Sequence, residues 1–302
     1  MANIIAVIWD CDKTLIDGYM QDPIFQDYKI NPKDFWAEVN SLPQAIESEK
    51  GIRVNRDTYY LNHFIKCAHD GTMPGLNNQK LREYGKKQKF YPGIPQIFEE
   101  TKSMFANDNS YAEYGIQVEH YIVSTGFAEV IRGSDLMKYV DGIWGCELLD
   151  APYQDDLVLS EIVYTIDNTT KTRAIFEINK GIGKLPDIDV NSNIPRELRR
   201  VRFENMIYIA DGPSDIPAFS VVHQNGGSTF AIYPKGNLQA MRQVDQMRED
   251  HRVDMYAEAD YSVGTTAHMW ITNKIRSLAD KIRTQEKERI LASASQAPKH
   301  LT

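Results

Sequence analysis

Apolar positions along this chain fall into two kinds of run. Residues 4–9 form an unbroken apolar, largely β-branched stretch ending at Trp9-Asp10, the pattern of a strand covered on both faces within a parallel sheet. Shorter runs of the same kind recur at 121–123, 206–210, 230–233 and, more weakly, 261–263. Over 127–139, 171–179 and 237–248 the apolar residues instead recur at helical spacing. Strands alternating with helices predict an α/β fold in which crossover helices cover a mainly parallel sheet.

The stretch from Ile16 to Phe90 has a different texture, with few β-branched runs and amphipathic segments at 32–50, 56–69 and 77–88 that read as helices. Asn31-Pro32 and Asn55 suit helix starts, and Gly51, Gly71 and Gly85 suit stops or breaks. The pattern predicts a small helical domain, 16–90, inserted after the first strand, with 1–15 and 91–302 forming the α/β core. Tyr91-Pro92-Gly93 marks the return. Farther on, 143–149 and 157–166 flank a turn-like 150–156, as in an antiparallel hairpin at a sheet edge. Residues 183–205 read as a loop with a short helix, and the polar tail after Arg283 as a fraying helix end. No internal repeat is visible.

Composition narrows the class. A chain of 302 residues with 42% hydrophobic and 25% charged residues is long and apolar enough to bury a sizeable core. Its 42 acidic against 34 basic residues leave a net charge of −8, which argues against a nucleic-acid partner bound through bulk electrostatics. Cys11, Cys67 and Cys146 are odd in number and far apart, so neither a disulfide framework nor a paired-thiol zinc site is expected, and a reducing compartment fits. The first residues lack a basic leader segment, and no apolar run approaches the length of a membrane span. The expectation is a cytoplasmic protein with no membrane partner.

Four segments carry candidate chemistry. Asp10-Cys11-Asp12-Lys13-Thr14 follows directly on the first strand, and ligands of open α/β sheets bind just beyond the carboxyl ends of strands. Two carboxylates at i and i+2, with Cα atoms roughly 6–7 Å apart in extended chain, allow one to attack a phosphorus atom while the other protonates the departing oxygen. Ser124-Thr125-Gly126-Phe127 follows 121–123 and offers a hydroxyl to a phosphate oxygen. Lys171 stands in a turn leading into a helix, a compact charge able to neutralise phosphate. Ala210-Asp211-Gly212-Pro213-Ser214-Asp215 ends a third strand with two acids suited to a divalent cation. Each segment taken alone also has a structural use, which for the first three is the more common one: an Asp ending a strand, a Ser capping a helix, a solvated lysine, or a Gly-Pro turn with Asp215 as cap. Among lesser candidates, Gly181-x-Gly183 reads as a helix-ending turn, His63 and His69 do not face each other on a helix, and Trp9 reads as a packing residue.

In this order, the four segments resemble the motifs of the haloacid dehalogenase superfamily: Asp-x-Asp-x-Thr, a Ser or Thr after the second strand, a Lys, and paired acids near a Gly. The resemblance runs from Ile4 to about Val263, and the insert falls where a helical cap stands in that superfamily. Ser124-Thr125-Gly126-Phe127 together with a helical cap looks most like the phosphoserine-phosphatase branch. The resemblance implies a Rossmann-like parallel-sheet core with an inserted helical cap domain. It also implies a Mg²⁺-dependent phosphomonoesterase acting on a small phosphorylated metabolite through an aspartyl-phosphate. It makes Asp10 the nucleophile and Asp12 the general acid and then base, with Ser124, Thr125 and Lys171 binding the phosphoryl group. Mg²⁺ would be held by Asp10, by the backbone carbonyl of Asp12, and by Asp211 with Asp215 in support.

There are departures from the pattern. Asp17-Gly18 does not reproduce the acidic pattern of true phosphoserine phosphatases, which counts against serine phosphate. Lys13 stands where Gly or Ser is common and is expected to point away, and Ala210 replaces a frequent Gly. A phosphomutase or phosphoryl transferase using the same intermediate, and a catalytically weak phospho-ligand binding protein, remain as alternatives. The intact acids speak against the last.

Overall fold

In the computed structural model, which describes residues 3–295, the first apolar run forms strand β1 (Asn3–Trp9), buried from Ile4 onward. Four helices follow: α1 (Asp22–Asp27), α2 (Pro32–Lys50), α3 (Tyr59–His69) and α4 (Asn78–Gly85). Helix α2 starts where the sequence places it, because the Asn31 side chain accepts the Lys33 N–H and Pro32 fits the first turn; Gly51 ends it in a left-handed conformation. Helix α3 begins only at Tyr59, since residues 55–58 close a turn in which Asn55 accepts the N–H groups of Asp57 and Tyr59. Asn77 caps α4 through the Lys80 N–H, so that helix is shorter at both ends than the amphipathic pattern.

The remaining elements are α5 (Gln96–Ser103), α6 (Asn109–Ala112), β2 (Ile116–Phe127), α7 (Ala128–Gly133), β3 (Gly142–Tyr153), β4 (Asp156–Tyr164), α8 (Lys171–Lys180), β5 (Met206–Ala210), α9 (Ile216–Gln224), β6 (Ser228–Tyr233), α10 (Leu238–Glu249), β7 (Met255–Glu258) and α11 (Thr266–Ser295). The seven strands form one α/β sheet in the order β4-β3-β2-β1-β5-β6-β7. All neighbours are parallel except the edge strand β4, which runs antiparallel to β3.

Several expectations need correction. Residues 261–263 are not a strand. The seventh strand is β7, and Tyr261 has left the sheet, its N–H donating to the Pro92 carbonyl and its hydroxyl to that of Thr14. The helix expected over 127–139 breaks after Gly133, where the Ser134 hydroxyl donates to the Ile131 carbonyl and closes the helix end. The β3–β4 turn is only Gln154-Asp155, with Gln154 left-handed, rather than the whole of 150–156. Helix α11 runs on to Ser295 instead of fraying after Arg283; residues 296–302 lie outside the described ones.

Strand periodicity divides the core. Along β1, Ile5, Val7 and Trp9 face one apolar layer, and Ile4, Ala6 and Ile8 the other. The first layer continues without a break into the inserted helices, through Phe25, Phe35, Phe64 and Leu81, and includes Ile271 and Ile275 of α11. The second is closed by Ile175 and Ile178 of α8, Phe219 of α9 and Val244 of α10. The two ends of the segment between β1 and α5 are hydrogen-bonded to each other, Asp17 N–H to the Lys89 carbonyl at 2.8 Å and Tyr91 N–H to that of Leu15 at 3.0 Å.

Candidate active site

β1 and β5 are adjacent and parallel, so their carboxyl ends bring Asp10 and Asp211 to the same edge of the sheet. The Asp10 N–H donates to the Ile209 carbonyl, continuing the ladder one residue beyond β1. The chain then turns tightly: the Leu15 and Ile16 N–H groups both donate to the Cys11 carbonyl, and Lys13 takes a left-handed φ of 56°. Within this loop the Thr14 hydroxyl donates to Asp10 Oδ2 at 3.1 Å, and the Met20 N–H to Asp12 Oδ1 at 2.9 Å.

Lys171 is not a solvated surface lysine. At the first turn of α8 its side chain is 1% exposed, and Nζ donates to Asp10 Oδ1 at 2.6 Å and Asp215 Oδ1 at 2.7 Å. Nor does Asp215 serve as a cap. It stands at the start of α9, but its carboxylate accepts Lys171, the Tyr208 hydroxyl at 2.6 Å and the Ser214 hydroxyl at 2.9 Å. Ser124 does not cap α7 either. It lies in the last residues of β2, fully buried, with its hydroxyl oxygen accepting the Gly126 N–H. A Cβ on Gly126 would meet Met20 Sδ at 2.3 Å, so glycine there lets the Asp10 loop close against β2. The neighbouring Thr125 shares a cavity with Asp12 and Tyr60, and its carbonyl accepts the Tyr60 hydroxyl at 2.7 Å.

The electrostatics show an excess of negative charge. Burial holds the Asp10 carboxyl up near 6 even though Lys171 pulls it down. Burial and then the Asp10 charge push Asp12 up to about 8, and burial with the charges of Asp10 and Asp215 pushes Asp211 to about 7. Burial opposes the charge on Lys171, but Asp10 and Asp215 outweigh it and keep the ammonium firmly protonated. Asp10, Asp211 and Asp215 each present an oxygen within 4.8 Å of the others. Three hard oxygen donors carrying more charge than one lysine offsets fit a divalent cation such as Mg²⁺. The side chain of Asp12 is outside this group. Lys13 does not simply point away: its Nζ lies 4.3 Å from the Tyr19 ring centroid, and Asp211 and Asp12 are close enough to favour its charge.

Of the residues singled out from the sequence, Asp10, Lys171, Asp211 and Asp215 thus converge; Asp12 stands beside them, and Ser124 and Thr125 at the end of the adjoining strand β2. Sequence reading missed Tyr208, which reads as one more apolar strand residue, and Met20, whose contribution is a backbone N–H. Thr14 was visible only as part of the first motif.

The chain is 34% identical over 288 residues to an uncharacterized protein of Borreliella burgdorferi, an alignment covering 90% of this chain and 97% of that one. No family model matches the sequence. Among solved structures, the fold is similar to a hydrolase of the haloacid dehalogenase family from Salmonella enterica serovar Typhi, with TM-score 0.51 and 14% identity over 84% of this chain and 67% of that one. It is similar as well to a phosphoserine phosphatase solved as a phospho-aspartyl intermediate analogue, with TM-score 0.50, 14% identity and coverage of 84% and 93%. A probable phosphoserine phosphatase from Vibrio cholerae, unliganded, gives TM-score 0.51 at 12% identity over 93% and 67%.

Proposed function

For a chain that belongs to one family with the Borreliella burgdorferi protein and has the haloacid dehalogenase superfamily fold, we propose a Mg²⁺-dependent phosphomonoesterase acting on a small phosphorylated metabolite. The observation that carries this reading is Lys171, buried between Asp10 and Asp215 at the strand ends with Asp211 beside them. A buried cation flanked by acids at a ligand-binding sheet edge is a costly arrangement with little benefit to stability, and positioning a phosphoryl group gives it a purpose. Residues 1–15 and 91–302 act in this reading as the catalytic core and 16–90 as a cap, supported by the paired ends of the insert. The three buried cysteines, unpaired among the described residues, suit a reducing, cytoplasmic setting. No helix among those residues is long and apolar enough to cross a membrane.

In the mechanism, an Asp10 carboxylate oxygen attacks phosphorus as the bond to the leaving oxygen breaks, forming an aspartyl-phosphate. Asp12, held protonated by its surroundings, gives its proton to that oxygen. Asp12 then takes a proton from water as the water oxygen attacks phosphorus. The bond to Asp10 breaks, releasing phosphate and returning both carboxyl groups to their starting states. Lys171 orients Asp10 and balances phosphoryl charge, while Ser124 and Thr125 bind the remaining oxygens. Asp10, the Asp12 backbone carbonyl and Asp211 would hold Mg²⁺, with Asp215 behind them. When bound, the ion supplies charge neutralisation at the phosphoryl oxygens. A screen of small phosphate monoesters, in Mg²⁺ and in chelator, tests the reading. Phosphate release that chelation abolishes is expected, and release from none of them, or equal release in chelator, would refute it.

A further inference from the structure

Beside Asp12, between the strand ends and helices α2 and α3, lies a cavity of about 150 Å³ whose walls include Gln21, Trp36, Tyr60 and Thr125. It is smaller than the roughly 300–1,000 Å³ of pockets that take drug-sized ligands. Since Asp12 protonates the departing oxygen, this is where the leaving alcohol would sit. Gln21 is 3% exposed, and its Oε1 is buried with no hydrogen-bond partner. No other wall residue has such an orphaned side-chain atom among the described residues. A buried amide with an unmade hydrogen bond costs stability unless a ligand completes it.

Of the charged wall residues, Asp12 is the acid itself, and Arg56 and Asp57 sit at the outer rim with partners of their own. Arg56, with its side chain 61% exposed, pairs with Glu47 at 2.9 Å, and Asp57 Oδ2 accepts the Asn168 N–H at 3.3 Å. The Tyr60 hydroxyl is spent on the Thr125 carbonyl. A neutral amide both donates and accepts, as a hydroxyl does, whereas it leaves a buried ammonium or carboxylate uncompensated. Trp36, itself partly buried, adds an apolar wall for carbon-bound hydrogens.

Resting on the phosphatase reading, we infer that Gln21 is a specificity-determining residue that binds a hydroxyl of the leaving group. The natural substrate is then the phosphate ester of a small, uncharged, hydroxylated alcohol and not of an amino acid. The matched probes are glycerol 3-phosphate and n-propyl phosphate, which share a carbon chain, with O-phosphoserine as the charged alternative and an aryl phosphate as the control for turnover itself. Wild-type kcat/KM should favour glycerol 3-phosphate over n-propyl phosphate by about 10- to 100-fold, and Gln21→Met should bring that ratio close to one. Because methionine matches the length of the side chain without an orphaned oxygen, the variant's melting temperature without substrate should equal or exceed that of wild type. A ratio near one in wild type, a preference for O-phosphoserine, or a ratio unchanged by Gln21→Met would overturn the inference while leaving the phosphatase reading intact. A clear loss of melting temperature would show that the amide is structural and overturn it as well. Failure on every probe, the aryl phosphate included, would instead be the failure of the phosphatase reading, and the inference would fall with it.

Discussion

At the ends of β1 and β5, carboxylates and a lysine are packed where little water reaches them; in helices α1 to α3, the bulky buried side chains include a cluster of aromatic rings, and the Lys and Arg ion pairs lie outside. Phe25, Phe35 and Phe64 pack ring on ring at 4.8–5.9 Å, and Phe64 meets Phe127 of β2 edge to face at 5.1 Å. Pairs such as Arg56–Glu47 and Lys66–Glu38 lie at the surface, where screening and side-chain entropy leave them little net worth. Rings buried beside rings stabilise the fold through apolar area and need no partner elsewhere. Acids buried beside acids do the reverse: burial and their neighbours' charges disfavour the ionised forms. The insert thus contributes stability that the strand ends consume, and the two regions should answer differently to the same kind of substitution.

The sharpest contrast is in turnover. Asp10→Asn should lower the rate by more than about a thousandfold in an aryl phosphate assay while circular dichroism stays native, because an amide does not attack phosphorus. A variant within tenfold of wild type would remove Asp10 from the chemistry. Asp12→Asn should slow an alkyl phosphate by about 10²–10⁴-fold but an aryl phosphate far less, since only the poor leaving group needs the proton. Equal slowing of both, with weaker Mg²⁺ binding, would make Asp12 a metal ligand instead.

Stability separates the regions next. Lys171→Met leaves Asp10 and Asp215 without their shared cation and should cost about 3–5 kcal/mol by urea unfolding. Arg56→Met in the insert should not move the midpoint measurably. Phe64→Ala should also cost about 3–5 kcal/mol, and because its apolar layer is continuous with that of the sheet, unfolding should remain a single transition. Two transitions would show that the insert folds independently.

The contrast extends to the effect of pH on the metal-free protein. Asp10, Asp12 and Asp211 have folded-state values of about 6, 8 and 7 against an ordinary 3.8, so between about pH 4 and pH 8 the folded chain holds more protons than the unfolded one. Stability should therefore fall as pH rises through that window, and Mg²⁺ should raise the melting temperature more near about pH 8 than near about pH 5. A flat profile would contradict the charge excess at the strand ends.

The contrast also explains what the sequence disclosed. Asp10, Asp211 and Lys171 stood out because each polar residue follows an apolar run or opens a helix, so its position at a strand or helix end was legible. Their meeting was not, since Lys171 and Asp10 are 161 residues apart and only the sheet order joins them. Tyr208 and Gln21 escaped notice because a tyrosine inside an apolar strand reads as core and a glutamine in an irregular segment reads as surface. β7 was overlooked because Met255–Glu258 is short and mixed in character, while Tyr261 and Val263 have strand-forming side chains yet lie past the sheet.

The proposed chemistry requires Asp10 to carry the phosphoryl group between substrate and water. Rapid acid quench of the protein turning over a ³²P-labelled phosphate ester in Mg²⁺, followed by peptide mapping, tests this directly. The label should be found on the peptide containing Asp10, should be released by hydroxylamine as an acyl phosphate, and should be absent from Asp10→Asn. Steady turnover with no label on the protein, or label on any other residue, would contradict it.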